Sequence, residues 1–453
     1  MKQKFDIIII GSGGGSKLTR PAANLGYKVA IVDQGPLGGT CLNRGCIPSK
    51  MLIHTADVMT EINESKRFFI DVKGEVTVDV DALVNYVSHE VDIESQSIKP
   101  LYDMHEQISY FSDTAVFRSN YDIQVGDHVI TADKIFIAAG ARPYIPPING
   151  LADTAYWTST EALRATELPK TLLIIGGGYI AVELGYYFQA MGVEVTFLVR
   201  NRMIKHEDDD VIRLFEEQFS KQYTVIVGRV ASQVSYCDNQ FCVTLDNGEV
   251  LYSDKVLVAT GIQPNSDTLN LHHTDIVCDD RGFIQVNDYL ETAVKNVYAF
   301  GDIIGRYQFR HTANFEGQYL FEHVVKTPSL VAIDYPPVPH AIFSHPQVAG
   351  VGLTERECLE QNRAYYCGMN GYKDSAMGMA LKSDKDFVKL IFDLKTHALI
   401  GAHIIGKEAA TMIHMCIMAM NLKATHKDLL TMIYIHPALP EVIRNAVRHA
   451  RPN

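Results

Sequence analysis

The sequence predicts an α/β fold made of two Rossmann-like dinucleotide-binding domains and a C-terminal α+β domain. Three observations carry this. Two segments of the chain repeat one pattern, an apolar run that enters a glycine-rich turn. The 453 residues suit about three domains at roughly 150 residues each. From about Pro336 onward there is no further glycine loop, and short strand-like runs lead into an apolar helical stretch near residues 409–422.

The repeat is a strand, a glycine loop, a helix and a second strand. Residues 5–10 enter Gly11-Ser-Gly13-Gly14-Gly15-Ser16, and residues 172–175 enter Gly176-Gly-Gly178-Tyr-Ile-Ala181. Each helix-like stretch then meets a glycine, Gly26 or Gly192, and a second strand at 29–33 or 193–199. Such a loop lets backbone approach a pyrophosphate, and the helix N-terminus supplies oriented N–H groups. At the first site Asp33 stands 22 positions after Gly11, where an acid hydrogen-bonds ribose hydroxyls. Ser16 replaces the usual third glycine and is small enough for close packing. Pro21 is tolerable only within about the first helical turn, where its missing N–H costs little.

The second site differs at one place. Aligning Gly26 with Gly192 sets Val199 opposite Asp33, and Arg200, Arg202 and Lys205 follow. A carboxylate there would repel a 2′-phosphate, whereas arginine binds one through two parallel hydrogen bonds. This predicts NADPH at the second site, with NADH the alternative.

Cys41 and Cys46 lie in Gly38-Gly-Thr-Cys41-Leu-Asn-Arg-Gly-Cys46-Ile-Pro-Ser-Lys50. A disulfide needs Cα atoms within about 7 Å, while five residues of regular helix rise about 7.5 Å. The segment therefore cannot bridge these cysteines as regular helix. Gly45 supplies the freedom to distort, and Pro48 is acceptable if a helix begins near it. A strained, accessible disulfide in a reducing compartment is of the catalytic kind. Cys237 and Cys242 share the spacing but flank Asp238-Asn-Gln in a hairpin pattern; they are read as strand residues without redox chemistry.

The remaining composition narrows the class. A net charge of −12 argues against a nucleic-acid partner. No run approaches the roughly 18 apolar residues of a membrane span. Eight scattered cysteines are too few for a secreted disulfide framework. No cysteine–histidine–acid cluster has metal-site spacing, and no signal-peptide pattern precedes residues 7–10, so a cytoplasmic setting is expected. Between the repeats lie a polar helical stretch at about 78–105, an extended proline-rich linker from Arg142, and a capping box at Thr158–Glu161.

The Gly38-to-Lys50 run resembles the active-site motif of class I pyridine nucleotide–disulfide oxidoreductases, which include dihydrolipoamide dehydrogenase and glutathione, mercuric and mycothione reductases. Four further motifs are similar in order: Ala139-Gly140 with Arg142-Pro143; Ala259-Thr-Gly261 with Pro264-Asn265; Tyr298-Ala-Phe-Gly301-Asp302; and Ile435-His436-Pro-Ala-Leu-Pro-Glu441. The resemblance implies FAD held by Gly11, Gly13, Gly14, Asp33, Thr40, Lys50, Gly140 and Asp302. It implies NAD(P) held by Gly176, Gly178, Glu183, Arg200, Arg202 and Gly261, with Glu183 pairing Lys50. Cys46 becomes the flavin-proximal thiol and Cys41 the interchange thiol. His436, oriented by Glu441, becomes the acid–base group, reaching the active site of the partner in a homodimer. The implied division is FAD-binding at 1–145 and 266–335, NAD(P)-binding at 146–265 and dimerisation at 336–453.

On this reading the chain moves electrons between NAD(P)H and a small disulfide or dithiol, in the manner of mycothione or glutathione reductase. Pro21 falls where the family's glutathione-contacting arginine is expected, which counts against glutathione. The absence of cysteine beyond Cys416 counts against mercury. The alternative is dihydrolipoamide dehydrogenase using NAD; a flavin oxidase or transhydrogenase would not need Cys41, Cys46 and His436 together.

Overall fold

A computed structural model describes residues 2–329 and 331–451. β1 (Lys2–Ile10), α1 (Ser12–Asn24) and β2 (Val29–Val32) form the first strand–helix–strand unit. Residues 7–10 and all of β2 are buried, as expected of parallel strands covered on both faces. β1 pairs in parallel with β2 on one side and with His128–Ile137 on the other. Ile108–Phe111 extends the sheet beyond β2, and Val297–Ala299 returns much later in the chain to pair with residues 135–137. Two antiparallel strands, Ala115–Phe117 and Asp122–Val125, complete this seven-stranded sheet.

The second unit repeats the plan with Thr171–Ile175, the helix Tyr179–Ala190 and Glu194–Val199. Its four-stranded parallel sheet has Thr224–Val227 and Lys255–Val258 at the edges. The likeness extends to backbone detail. Gly11 and Gly176 have φ of 99° and 141°, and an added Cβ would sit 2.3 and 2.2 Å from the carbonyl oxygens of Ala138 and Ala259. Only glycine allows both the conformation and that approach. A three-stranded antiparallel sheet (Ala231–Cys237, Gln240–Leu245, Val250–Ser253) flanks this unit. Ala141–Pro143 and Ile262–Pro264 pair as a two-stranded ribbon where the chain passes between the units.

The C-terminal region is a five-stranded antiparallel sheet running from Pro339–Ile342 at one edge to Tyr365–Gly371 at the other. The helices Ala409–Asn421 and Pro440–His449 cover it, burying Met412, Ile413, Val442, Ile443 and Val447 in one core. No helix among the described residues is long and apolar enough to cross a membrane.

Pro21 departs from expectation. It lies well past the first turn, inside α1 with only three helical residues after it. Its ring leaves the Lys17 carbonyl without a partner, but Lys17 is exposed, so water can take that bond. The face formed by Leu18, Ala22 and Ala23 is fully buried and holds the helix in place.

Candidate active site

The two cysteines lie either side of a helix break. α2 (Gly39–Arg44) stops at Gly45, whose φ and ψ are −147° and −117°, and α3 (Cys46–Asn63) begins on the next residue. A Cβ on Gly45 would stand 3.0 Å from the Thr40 carbonyl oxygen, tighter than a side chain comfortably allows. Pro48 is the third residue of α3, where its lack of an N–H is harmless. Cys41 is half-buried and Cys46 exposed. The two thiols are within reach of one another. The hydrogen bond from Cys46 holds the Cys41 thiol down at about 7, against the opposing effect of burial and with help from the Arg310 guanidinium. The Cys46 thiol is driven far up, first by that same bond and then by burial. As pH rises through about 7 the pair therefore loses one proton and keeps one thiolate and one thiol. Alkylation of the reduced protein by iodoacetamide should follow a thiolate that appears as pH rises through about 7; a midpoint at the ordinary value of about 8.5 would contradict it.

The turn before α2 abuts the first glycine loop. Gly39 has φ 73°, and a Cβ there would lie 2.7 Å from Gly13 Cα. Buried Asn43 braces this turn through Nδ2, which donates to the carbonyls of Pro36, Leu37 and Gly39 at 3.2, 2.8 and 3.0 Å. Ser12 Oγ accepts from Gly38 N at 2.8 Å. Asp33, one residue beyond β2, accepts from Ser12 N at 2.6 Å and Gly35 N at 2.7 Å. Thr40 is exposed in α2, beside Cys41. Sequence reasoning missed the brace at Asn43, because its three partners form a set only once the turn has folded.

α3 rests on the helix of the second unit. Lys50 Nζ lies 2.6 Å from Glu183 Oε2 and 4.7 Å from the centre of the Phe343 ring. The other Glu183 oxygen accepts from Phe343 N at 3.0 Å. A buried carboxylate is costly unless paired and hydrogen-bonded, so these contacts fix the Lys50 ammonium beside the redox segment. Further along the same faces, Tyr186 hydroxyl meets Asp57 at 2.8 Å and Thr60 at 3.0 Å.

Asp302 follows Val297–Ala299 in a short turn, Gly301–Ile304. Its carboxylate has no hydrogen-bond partner among the described residues, and burial pushes its pKa up to about 6 against the pull of Arg310. Arg310, first residue of the helix Arg310–Leu320, was not singled out in the sequence. Its Nη1 comes within 3.5 Å of where a Gly13 Cβ would be. It thus stands among the glycine loop, Cys41 and Asp302. A carboxylate awaiting donors, a cation beside the loop and the side-chain-free backbone of Gly13 suit a hydroxyl-rich chain joined to a pyrophosphate. The residues present fit FAD.

At the second loop Gly178 has no heavy atom within 4 Å of an added Cβ, leaving the N-terminus of the helix Tyr179–Ala190 open to an anion. Gly140 and Gly261 sit at the ribbon where the units meet, with Asn265 N donating to the Gly140 carbonyl at 3.1 Å. Arg200 and Lys205 are exposed, and their side chains make no ion pair among the described residues. Arg202 is not free: Asp209 holds it at 3.0 Å and Glu216 lies 3.8 Å away. These residues fit a nicotinamide dinucleotide.

His436 Nδ1 lies 2.9 Å from Glu441 Oε2, and Arg444 donates to the other carboxylate oxygen at 2.8 Å. Glu441 is buried, and burial raises its pKa, but the hydrogen bonds from His436 and the Ala438 N–H together with the charges of His436 and Arg444 outweigh it and hold the pKa below the usual carboxylate range. The His436 side chain is 70% exposed, and no hydrogen bond joins it to Cys41 or Cys46 within the chain. Ile433 and Ile435 beside it are 99% and 79% exposed, an apolar cluster of the kind that marks an interface. Among the described residues no group of three or more histidine, cysteine or acidic side chains could hold a metal.

This pairing of two glycine loops with a split-helix cysteine pair has known counterparts. Residues 5–317 match the family model for pyridine nucleotide-disulphide oxidoreductase, and residues 338–447 match the dimerisation domain of that family. The chain belongs to the pyridine nucleotide-disulphide oxidoreductase family. Members of this flavoprotein class use FAD and NAD(P)H, and the chain is accordingly an FAD-dependent disulfide oxidoreductase. It is 33% identical to a mycothione reductase of Mycobacterium tuberculosis, with 98% of this chain and 99% of that protein aligned. It is 32% identical to a dihydrolipoyl dehydrogenase of Rhizobium etli, over 99% of this chain and 98% of the other. The HOCl-induced flavoprotein disulfide reductase RclA of Escherichia coli, solved as a Cu(II) complex, superposes with a TM-score of 0.88 at 26% identity, covering 98% of this chain and 99% of that one.

Proposed function

We propose that the chain reduces a small disulfide at the expense of NADPH, and that Cys41 and Cys46 are the thiols that do so. The observation that carries this is the break at Gly45 between α2 and α3, which sets the Cys41 and Cys46 thiols within reach of one another. Cys41, as thiolate, attacks a substrate sulfur, forms a mixed disulfide and expels one thiolate. His436, held by Glu441, gives that thiolate its proton. Cys46 then attacks Cys41 and expels the second thiol. One substrate S–S bond is exchanged for the Cys41–Cys46 bond, and two substrate thiols leave. FAD, when bound, supplies the two-electron relay from nicotinamide that reopens this bond. Gly11, Gly13, Gly14, Asp33, Thr40, Gly140 and Asp302 would hold it, with Lys50 near its ring. Gly176, Gly178, Gly261 and Arg200 would hold the nicotinamide dinucleotide, with Glu183 fixing Lys50.

His436 acts in the partner chain of a homodimer. Its exposure, the two bare isoleucines beside it and the match to a dimerisation domain support this. The division into 1–145 with 266–335, 146–265 and 336–453 is supported by strand membership: the seven-stranded sheet draws only on the first, the four- and three-stranded sheets on the second and the five-stranded sheet on the third. A cytoplasmic setting suits a pair that must be kept reducible.

Arg200 and Lys205 favour NADPH. A dihydrolipoamide dehydrogenase working with NAD is the second reading, favoured by the neutralisation of Arg202 by Asp209 and Glu216. Turnover of lipoamide, glutathione disulfide, coenzyme A disulfide and bis-thiol sugar disulfides with each coenzyme decides between them. Strong NADH preference with lipoamide would overturn the first. Arg200→Glu should lower kcat/KM for NADPH by about 10²-fold, through loss of a charge-assisted contact and added repulsion, and leave NADH within a few fold.

A further inference from the structure

A second pair of sulfurs meets far from the first in sequence. Ala231–Cys237 and Gln240–Leu245 are adjacent antiparallel strands, with Cys237 opposite Gln240 and Cys242 opposite Ser235. Both cysteines therefore point to one face of the hairpin, across a diagonal. The face beneath is the packed one, since Phe241, Val243 and Leu245 are fully buried. The link is a two-residue turn, Asp238-Asn239, with φ of 52° and 64°. Such a turn carries the right-handed twist of the strands. The Cys237 and Cys242 sulfurs stand 2.7 Å apart. Cys237 is exposed and Cys242 half-buried.

That separation discriminates. Non-bonded heavy atoms sit about 3.5–4.0 Å apart. Two sulfurs on a tetrahedral metal, each about 2.3 Å from it, stand roughly 3.8 Å apart. The hairpin brings these sulfurs closer than either arrangement, towards the about 2.05 Å of a covalent bond. The pairing also needs little ordering, because the strands already hold the intervening residues in place.

We propose that Cys237 and Cys242 form a second, reversible disulfide, a surface redox site distinct from the catalytic pair, closed by low-molecular-weight disulfides. Cys237, the more exposed thiol, gives up its proton and attacks the small disulfide, forming a mixed disulfide and releasing one small thiol. Cys242 then attacks the Cys237 sulfur, loses its own proton and expels the second small thiol. Two protein S–H groups become one S–S bond, and one small disulfide becomes two thiols. No lysine, arginine or histidine bonds to either sulfur among the described residues, and Asp238 adjoins them, so exchange is slower here than at Cys41. The same spacing suggested inert strand residues in the sequence; they are strand residues, but the register adds the meeting of the sulfurs.

The test uses the full-length, flavin-loaded chain carrying Cys41→Ser and Cys46→Ser. It is equilibrated across glutathione/glutathione disulfide ratios, acid-quenched, alkylated, digested and read by mass spectrometry. The expected result is a peptide spanning Cys237 and Cys242 that loses two hydrogens under oxidising conditions, carries no lasting glutathione, and recovers with dithiothreitol. Adding Cys237→Ser should leave Cys242 with a persistent glutathione adduct. Two alkylated cysteines at every ratio, or a separate glutathione on each, would overturn the proposal. If the double-serine chain fails to fold, the same peptide is read from the unsubstituted protein, where digestion separates the two pairs. Cys237→Ser alone should leave catalytic turnover unchanged.

Discussion

Cys46→Ser should lower disulfide turnover by about 10³-fold or more while NADPH still reduces the bound flavin at near the unsubstituted rate. The reasoning starts from the α2–α3 break. Cys41 retains its place in α2 and can still attack a substrate sulfur, but no second sulfur stands ready to resolve the mixed disulfide. The variant should therefore stop with one equivalent of substrate thiol released and the other attached to Cys41. Stopped-flow flavin bleaching measures the first half-reaction, and intact mass measures the trapped adduct. Full disulfide turnover in this variant would remove Cys46 from the mechanism.

His436→Gln should lower kcat/KM for the disulfide by about 10²–10⁴-fold, the span of a positioned acid–base group. Flavin reduction by NADPH should persist. Glutamine keeps a hydrogen bond towards Glu441, so this fold-change isolates the proton function from the packing of the buried acid. The dimer reading adds a sharper expectation. A chain with Cys46→Ser has an intact histidine, and a chain with His436→Gln has intact thiols. If His436 serves the partner's site, a hybrid of the two contains one complete site. Random reassortment of equal amounts should then restore about a quarter of the unsubstituted activity. If His436 served its own chain's thiols, no hybrid site would be complete and activity would stay at the level of the separate variants.

Much of the architecture was readable because glycine has few substitutes where backbone meets backbone. Gly11 and Gly176 pack against carbonyls of neighbouring strands, and their repeated surroundings announced two similar units. Gly45 announced the broken helix because the cysteine spacing could not be reconciled with regular helical rise. Asp302 and the His436–Glu441 pair were reached by resemblance. Pro21 was misjudged because a proline's tolerance depends on whether water can reach the carbonyl it orphans, which a sequence does not display. The basic cluster after Val199 was read from its cations alone, and the acids that follow at 207–210 were left out. Folding turns Asp209 onto Arg202, Glu207 onto Tyr179 and His340, and Asp208 and Asp210 onto buried Lys389. Arg310 was invisible for a similar reason: its neighbours Gly13, Cys41 and Asp302 come from three separate stretches.

The claim on which the rest depends is that Cys41 and Cys46 store two electrons. Anaerobic reductive titration of the flavin-loaded protein tests it most directly. The account predicts that the first two electrons free two thiols mapping to Cys41 and Cys46 and raise a long-wavelength absorbance band while the flavin remains largely oxidised. Bleaching of the flavin by those first two electrons, with no thiol gained at either position, would contradict it.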